Sequence, residues 1–290
     1  MSKSALLRQN LSNRPLTHII GAHNPLSARL AEEAGFDGIW ASGFELSASF
    51  AVPDASILSM TQHLDMTRAI CAAVEIPVIA DIDTGYGNAI NVMYAIAQYE
   101  AAGAAAVVIE DKRFPKDTSL LEGGRQELLR MEEFAGKIEA ACASRESPDF
   151  VVIARTEALI AGQGQEEASR RATAYIEAGA DAVLIHSKSR TPEEIVEFCR
   201  GWNGNAPIVI VPTAYPELSE SDIVALKKIK MVIYGNHGIR AAVTAMADVF
   251  ARIRADGGIQ NVDGDIVPVT RIFELQRVAQ MKEREKRYLK

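Results

Sequence analysis

The sequence predicts an α/β fold, a (β/α)8 TIM barrel with an additional C-terminal helix, and three observations predict it. Residues 33–40, 102–110 and 178–186 share one order: the end of a helix-like run, a glycine (Gly35, Gly103, Gly179), then an apolar strand. Further apolar runs of strand length stand at 17–21, 78–81, 150–155, 208–211 and 231–234. Helical patterns separate them, so about eight βα units fill roughly 240 residues, the size of a closed barrel. An open doubly wound sheet would carry a glycine-rich phosphate loop after its first strand. That place holds Ala22-His23-Asn24-Pro25, while Gly85-Tyr86-Gly87 and Gly162-Gln163-Gly164 lack a third glycine.

The helical patterns run over 89–101, 127–143, 166–177, 192–200, 219–228 and 237–255. Thr191 ahead of Pro192 reads as an N-cap followed by proline at the first helical position. The run at 78–81 is apolar up to Asp81, as in a strand covered on both faces. Residues 256–264, with Gly257, Gly258 and Gly264, break the chain before a charged helix over 269–289. A helix added after a barrel has closed needs a surface to pack on, which predicts a neighbouring subunit. No linker interrupts the sequence. The domain reading is therefore a single barrel domain over 1–290, with 257–290 its helical extension.

A chain of 290 residues with 48% hydrophobic content can bury a large core. Its formal net charge of −7 argues against nucleic acid or an anionic membrane as partner. Cys71, Cys142 and Cys199 are odd in number and widely spaced, as expected of small buried hydrophobes in a reducing compartment, and no CxxC pair suggests zinc. Residues 1–16 lack the apolar core of a signal peptide, and no stretch reaches the roughly 18 apolar residues of a membrane span. The expected location is the cytoplasm.

In such a barrel the C-terminal ends of the strands share one mouth, where chemistry sits. The runs end in Trp40-Ala41-Ser42-Gly43, Asp81 with Asp83, Glu110-Asp111, Arg155, and His186-Ser187. Asp81 and Asp83 would point the same way along an extended chain. Like charges held that close raise one pKa unless a cation lies between them. Hard oxygen donors of this kind suit Mg²⁺ or Mn²⁺. Arg155 suits a bidentate grip on a carboxylate, and His186 can donate or relay a proton. After Glu110, residues 111–124 form a long polar loop punctuated by Pro115, Gly123 and Gly124, the pattern of a lid in which Lys116 and Thr118 close over an anion. Trp40 and Phe44 are candidate pocket walls. His18, His63 and His237 are expected to cap or pack.

Trp40-Ala41-Ser42-Gly43, the run from Asp81 to Gly87, Ile109-Glu110-Asp111-Lys112, Phe114-Pro115-Lys116, Ala154-Arg155-Thr156 and His186-Ser187-Lys188 together resemble the phosphoenolpyruvate mutase/isocitrate lyase superfamily over nearly the whole chain. The lyases of that superfamily carry a Lys-Lys-Cys-Gly-His loop, and the loop here has no cysteine. The mutases carry Lys-X-Asn-Ser in the lid, where this chain reads Lys116-Asp117-Thr118-Ser119. Threonine in place of that asparagine resembles the branch that cleaves the C–P bond of 3-phosphonopyruvate with water, giving pyruvate and phosphate through a magnesium-stabilised enolate.

The resemblance implies that Asp81 binds Mg²⁺ directly, Mn²⁺ or Co²⁺ substituting, while Asp54, Asp83 and Glu110 hold its water ligands. It implies that the Ser42 and Gly43 amides and Arg155 face the oxygen that gains charge. Lys116 and His186 would balance phosphoryl charge, and Thr118 would position water or act as nucleophile. Lys188 would add positive potential to the substrate site formed with Trp40, Ser42, Gly43, Phe44, Arg155 and His186. The resemblance also implies a homotetramer, a dimer of helix-exchanged dimers. Rival readings are the mutase that interconverts phosphonopyruvate and phosphoenolpyruvate, an oxaloacetate decarboxylase, and a non-catalytic sensor of an α-keto acid.

Overall fold

Eight parallel strands follow one another around a closed barrel: β1 (Thr17–Ala22), β2 (Gly38–Ala41), β3 (Val78–Asp81), β4 (Ala106–Glu110), β5 (Val151–Thr156), β6 (Ala182–Ile185), β7 (Ile208–Ile210) and β8 (Ile229–Tyr234). Closure comes from β8 pairing with β1 in the register Thr17↔Met231 and Ile19↔Ile233. Helix α1 (Lys3–Asn13) precedes the barrel. The helices that follow are α2 (Pro25–Glu33), α3 (Gly43–Ser49), α4 (Met60–Ala73), α5 (Ala89–Ala101), α6 (Met131–Ser144), α7 (Gly164–Glu177), α8 (Glu193–Gly201), α9 (Glu220–Ala225), α10 (His237–Asp256), α11 (Val269–Leu275) and α12 (Val278–Tyr288). This is a computed structural model that describes Met1 to Lys290, in two compact units, Met1–Ile239 and Arg240–Lys290.

The three repeated helix-glycine-strand segments share one local cause. Gly35, Gly103 and Gly179 take left-handed φ values of 86°, 90° and 102°. At the first, Gly35 N–H donates to Glu32 O and Phe36 N–H to Ala31 O, a Schellman closure that side chains with a Cβ rarely adopt. The chain then enters the next strand within a few residues.

Alternation along the strands decides which residues face inward. One buried cluster holds Ile19, Ile79, Ala106, Val108, Val151, Ile153, Ala182, Leu184, Val209, Met231 and Ile233, every second residue of its strand. Leu7 of α1 joins that cluster at 0% exposure. Burying such a leucine is worth about 1.5–3 kcal/mol. The alternate strand residues pack outward on the helices, for instance Val78, Ala80, Val107 and Val152 against Val92, Tyr99, Phe134 and Tyr175.

Two helix boundaries differ from expectation. Pro192, not Thr191, is the residue that caps α8, with its backbone already helical at φ −79° and ψ −2°. The C-terminal run 269–289 is two helices, because Arg277 takes φ 57° and ends α11 before α12 begins. No helix is long and apolar enough to cross a membrane.

Candidate active site

The inward alternation that builds the barrel core continues past the strand ends and builds the site. Two residues beyond Trp40, Ile79, Val108, Ile153, Leu184, Val209 and Ile233 stand Ser42, Asp81, Glu110, Arg155, His186, Val211 and Gly235. All but Glu110 line one cavity of about 60 Å³, together with Trp40, Phe44, Asp54, Lys116, Thr118, Ser119 and Leu120. The expected mouth residues are thus brought together. Asp83, Glu110 and Gly43 are buried next to that lining rather than in it.

Asp81 and Asp83 converge, but not through extended backbone. Asp83 has φ 50°, a left-handed conformation that aspartate tolerates. A Cβ added to Gly43 would lie 3.1 Å from Asp81 Oδ2 and 3.2 Å from Asp83 Oδ1, so both carboxylates close on that glycine. The Gly43 N–H donates to Asp81 Oδ2 at 3.2 Å. The amide expected to face a substrate oxygen is therefore engaged with the acid pair. Ser42 caps α3, its Oγ accepting from Glu45 N–H and donating to Gly235 O, each at 3.2 Å.

Lys116 reaches from the lid into the acids. Its Nζ lies 2.7 Å from Asp83 Oδ1, 3.3 Å from Asp54 Oδ1 and 3.7 Å from Glu110 Oε1. Burial pushes Asp83 up to about 7 although Lys116 pulls the other way, and burial likewise raises Asp81. Lys116 is held well above the ordinary lysine value: burial opposes its charge, and Asp54, Asp83, Glu110 and Asp81 outweigh that.

Whether these residues fit a divalent cation can be tested on the acids themselves. Both carboxylate oxygens of Glu110, and Asp83 Oδ1, are buried with no aligned hydrogen-bond donor. They meet the Lys116 charge at Asp83 Oδ1 and Glu110 Oε1 and the Arg155 charge at Glu110 Oε2, and a hydrated cation would add the hydrogen bonds that these ion pairs leave unmade. No group of three or more His, Cys, Asp or Glu forms a ready cage. The donors that do gather are carboxylate oxygens, the hard ligands that suit Mg²⁺, which keeps much of its own water.

Arg155 is held on two edges. Its Nε lies 2.5 Å from Glu157 Oε1 and 3.3 Å from Glu110 Oε2, and its Nη2 contacts Ser119 Oγ at 3.0 Å and His186 Nδ1 at 2.8 Å. His186 Nδ1 also lies 3.0 Å from Glu157 Oε1. Burial, then the Arg155 charge, lowers the His186 pKa below the ordinary histidine value. The direction favours the neutral ring, whose role toward a phosphoryl group would be hydrogen bonding. Nδ1 of a neutral ring satisfies either Arg155 or Glu157, not both.

Two expected rim residues lie elsewhere. Lys188, expected at the substrate site, is exposed and does not line the cavity, and Arg190, a second basic residue expected to add positive potential there, is likewise exposed. Strand β6 ends at Ile185, and the Ser187 hydroxyl, bonded to Glu194, carries the chain out toward α8. Asp111 turns away from Glu110: its Oδ2 accepts from Tyr175 Oη at 2.8 Å, Thr156 Oγ1 at 3.1 Å and Arg171 Nη1 at 3.2 Å. It fastens β5 to α7. The histidines set aside as packing behave so: His18 stacks on Tyr234, His237 meets the edge of Tyr234, and buried His63 meets Tyr86.

Sequence reasoning missed the roles of Lys112, Ser119 and Glu157, a buried network in which Ser119 lines the cavity while Lys112 and Glu157 stand behind it. Ser119 Oγ accepts from Lys112 Nζ at 2.8 Å and donates to Glu157 Oε2 at 2.6 Å. Burial would raise the Glu157 carboxyl, but Arg155, His186 and Lys112 hold it well below the usual range. Counting on by two from Glu110 and Arg155 reaches Lys112 and Glu157, so the strand period was the available signal.

The phosphoenolpyruvate phosphomutase family matches residues 7–254. The chain is 63% identical over 290 residues, all of both chains, to phosphonopyruvate hydrolase of Variovorax sp. (strain Pal2). It is 42% identical over 287 residues, 99% of this chain and 95% of the relative, to phosphoenolpyruvate phosphomutase of Tetrahymena pyriformis. Among solved structures, a phosphonopyruvate hydrolase in complex with oxalate and Mg²⁺ superposes with TM-score 0.96 at 62% identity, covering 100% of both chains.

Proposed function

The chain belongs to the phosphoenolpyruvate phosphomutase family, and we propose that within it the protein hydrolyses the C–P bond of 3-phosphonopyruvate, consuming water and giving pyruvate and phosphate. The observation that carries this reading is Thr118, which lines the same cavity as Asp81, Arg155, His186 and Lys116 where a mutase lid would present asparagine. The full-length identity to a hydrolase supports it.

Asp81 would hold Mg²⁺ directly and Asp54, Asp83 and Glu110 its waters, with Mn²⁺ or Co²⁺ able to take the same oxygen donors. When bound, the ion supplies Lewis-acid polarisation of the substrate's keto oxygen. The chain's own residues do the rest. A simple carbanion is a very poor leaving group, but the carbonyl beside the methylene takes the C–P electron pair and the departing fragment is an enolate. The Arg155 guanidinium binds the negative carboxylate end and opposes the charge that develops there. The phosphoryl group passes through a loose, metaphosphate-like state, so placement matters more than covalent help. The Lys116 ammonium, which lines the same cavity, would offset its charge. His186, neutral and fixed at Nδ1, leaves Nε2 for a hydrogen bond to it. Thr118, shorter than asparagine, admits water and orients it with its hydroxyl. The water oxygen bonds to phosphorus as the C–P bond breaks, and the proton that water gives up balances the one taken by the enolate carbon to give pyruvate.

The same reading makes the enzyme cytoplasmic, which three unpaired cysteines support. It also makes it a homotetramer with exchanged C-terminal helices, supported by the exposed Val243, Met246, Phe250 and Phe273 of the C-terminal unit. The deciding experiment is ³¹P NMR of the purified protein with phosphonopyruvate and Mg²⁺. Growth of inorganic phosphate at the expense of the phosphonate is expected. Phosphoenolpyruvate without phosphate would make it a mutase, and no change in either signal would refute both.

A further inference from the structure

We propose that Glu157 is a positioning residue that couples the substrate-holding Arg155 to the lid, and that Ser119 is the lid group through which the coupling runs. This rests on the hydrolase reading for its chemistry and on geometry for its parts. Glu157 is fully buried and does not line the cavity, so it acts through others.

Its two oxygens face different partners. Oε1 takes Arg155 Nε at 2.5 Å and lies 3.0 Å from His186 Nδ1, the two groups turned to the substrate. Oε2 takes the Ser119 hydroxyl at 2.6 Å and lies 3.4 Å from Lys112 Nζ. Ser119 Oγ accepts from both Lys112 and Arg155, at 2.8 and 3.0 Å. A hydroxyl has one donor and two acceptor sites, so this one is saturated and its orientation fixed.

The consequence falls on Thr118. Lys116 is anchored in the acid cluster, the Asp117 carbonyl accepts from Lys112 Nζ at 2.8 Å, and Ser119 is anchored at Glu157. Thr118 is the unanchored side chain between fixed neighbours, presented to the cavity by them. Any shift of Arg155 reaches it through one hydroxyl. A displacement of about 1 Å at a reacting group costs up to roughly a hundredfold in rate.

The test compares wild type with Ser119→Ala, Ser119→Thr, Glu157→Gln and the Ser119→Ala/Glu157→Gln double variant. It reads kcat and KM for phosphonopyruvate with Mg²⁺, and tryptic cleavage at the exposed lid residue Arg125. Ser119→Ala should lower kcat about tenfold with KM within about threefold, since Arg155 keeps Glu157. Ser119→Thr, which keeps the hydroxyl, should recover most of that loss. Glu157→Gln should lose more and raise KM. The double variant should be no worse than Glu157→Gln alone, the signature of two groups acting on one path. Lid cleavage should quicken in the Ala and Gln variants, and oxalate with Mg²⁺ should protect wild type but not these.

Losses that multiply in the double variant would overturn the proposal, as would Ser119→Ala with wild-type turnover and cleavage. If Glu157→Gln does not fold, the Ser119 pair still decides. If wild type releases no phosphate, the hydrolase reading fails, and the cleavage comparison alone decides the coupling.

Discussion

Lys116 Nζ lies 2.7 Å from Asp83 Oδ1, so an ammonium from the lid sits among the acids that would hold the waters of a metal ion. The two positive charges compete for one negative cluster. Lys116→Met should therefore tighten Mg²⁺ binding, by about tenfold or more at pH 8, the equivalent of about 1.4 kcal/mol, because charges a few ångströms apart in this setting interact by at least that much. Turnover should fall in the same variant. Calorimetric titration with Mg²⁺ checks the first half, and unchanged or weaker binding would contradict the competition.

Asp83 makes a second case. Burial raises its pKa to about 7, above the unfolded aspartate value of 3.8. Between those values the folded chain holds a proton that the unfolded chain has lost, so its contribution to stability falls as pH rises from about 4 to 7 and is flat above. Metal-free wild type should accordingly lose ground relative to Asp83→Asn as pH goes from 5 to 7.5, measured by thermal melting. Mg²⁺ requires the carboxylate, so its affinity should drop below about pH 7, and binding there should release a proton detectable in buffers of different ionisation enthalpy.

Thr118→Asn restores the lid residue of a mutase. Hydrolysis should drop by about tenfold to a hundredfold, with oxalate affinity changed far less, because the substitution alters how water is admitted rather than how the acid end is held. Phosphate release and inhibitor binding are measured side by side. Wild-type turnover in the variant would remove Thr118 from the mechanism.

Asp111→Ala should unfold the chain more easily without touching metal binding. It strips the Arg171 guanidinium, the Tyr175 hydroxyl and the Glu157 N–H of their shared buried acceptor. Removing one member of such a set costs about 3–5 kcal/mol. Urea denaturation with and without Mg²⁺ separates this from Asp81→Ala, which should abolish magnesium-dependent phosphate release and leave the denaturation midpoint of the metal-free protein little changed or raised.

Most of the barrel was legible because buried parallel strands are continuous apolar runs and the glycine closures between helix and strand are local. Of the site, Asp81, Glu110, Arg155 and His186 were legible for the same reason: each is the first ionisable residue after such a run. The errors fall where a strand has ended. Asp83 reaches its neighbour by a left-handed turn that alternation does not describe. Lys188, at the same spacing after His186, is carried outside by the turn that Ser187 makes with Glu194. The strand period points to Lys112 and Glu157, two on from Glu110 and Arg155, but not to what they do, because their shared partner Ser119 comes from the lid. Arg277, which divides the last helix, lies in a run whose helical pattern carries no sign of a break.

Because the hydrocarbon filling of the cylinder and its polar crown are alternate beads on the same threads, neither can slip past the other. Inserting or deleting one residue between Ile79 and Asp81, or between Ile153 and Arg155, would swing an acid or a guanidinium onto the helix side and an aliphatic group into the mouth. Chemistry on this scaffold can be revised by exchanging letters in place, as at Thr118, but not by changing the count between them.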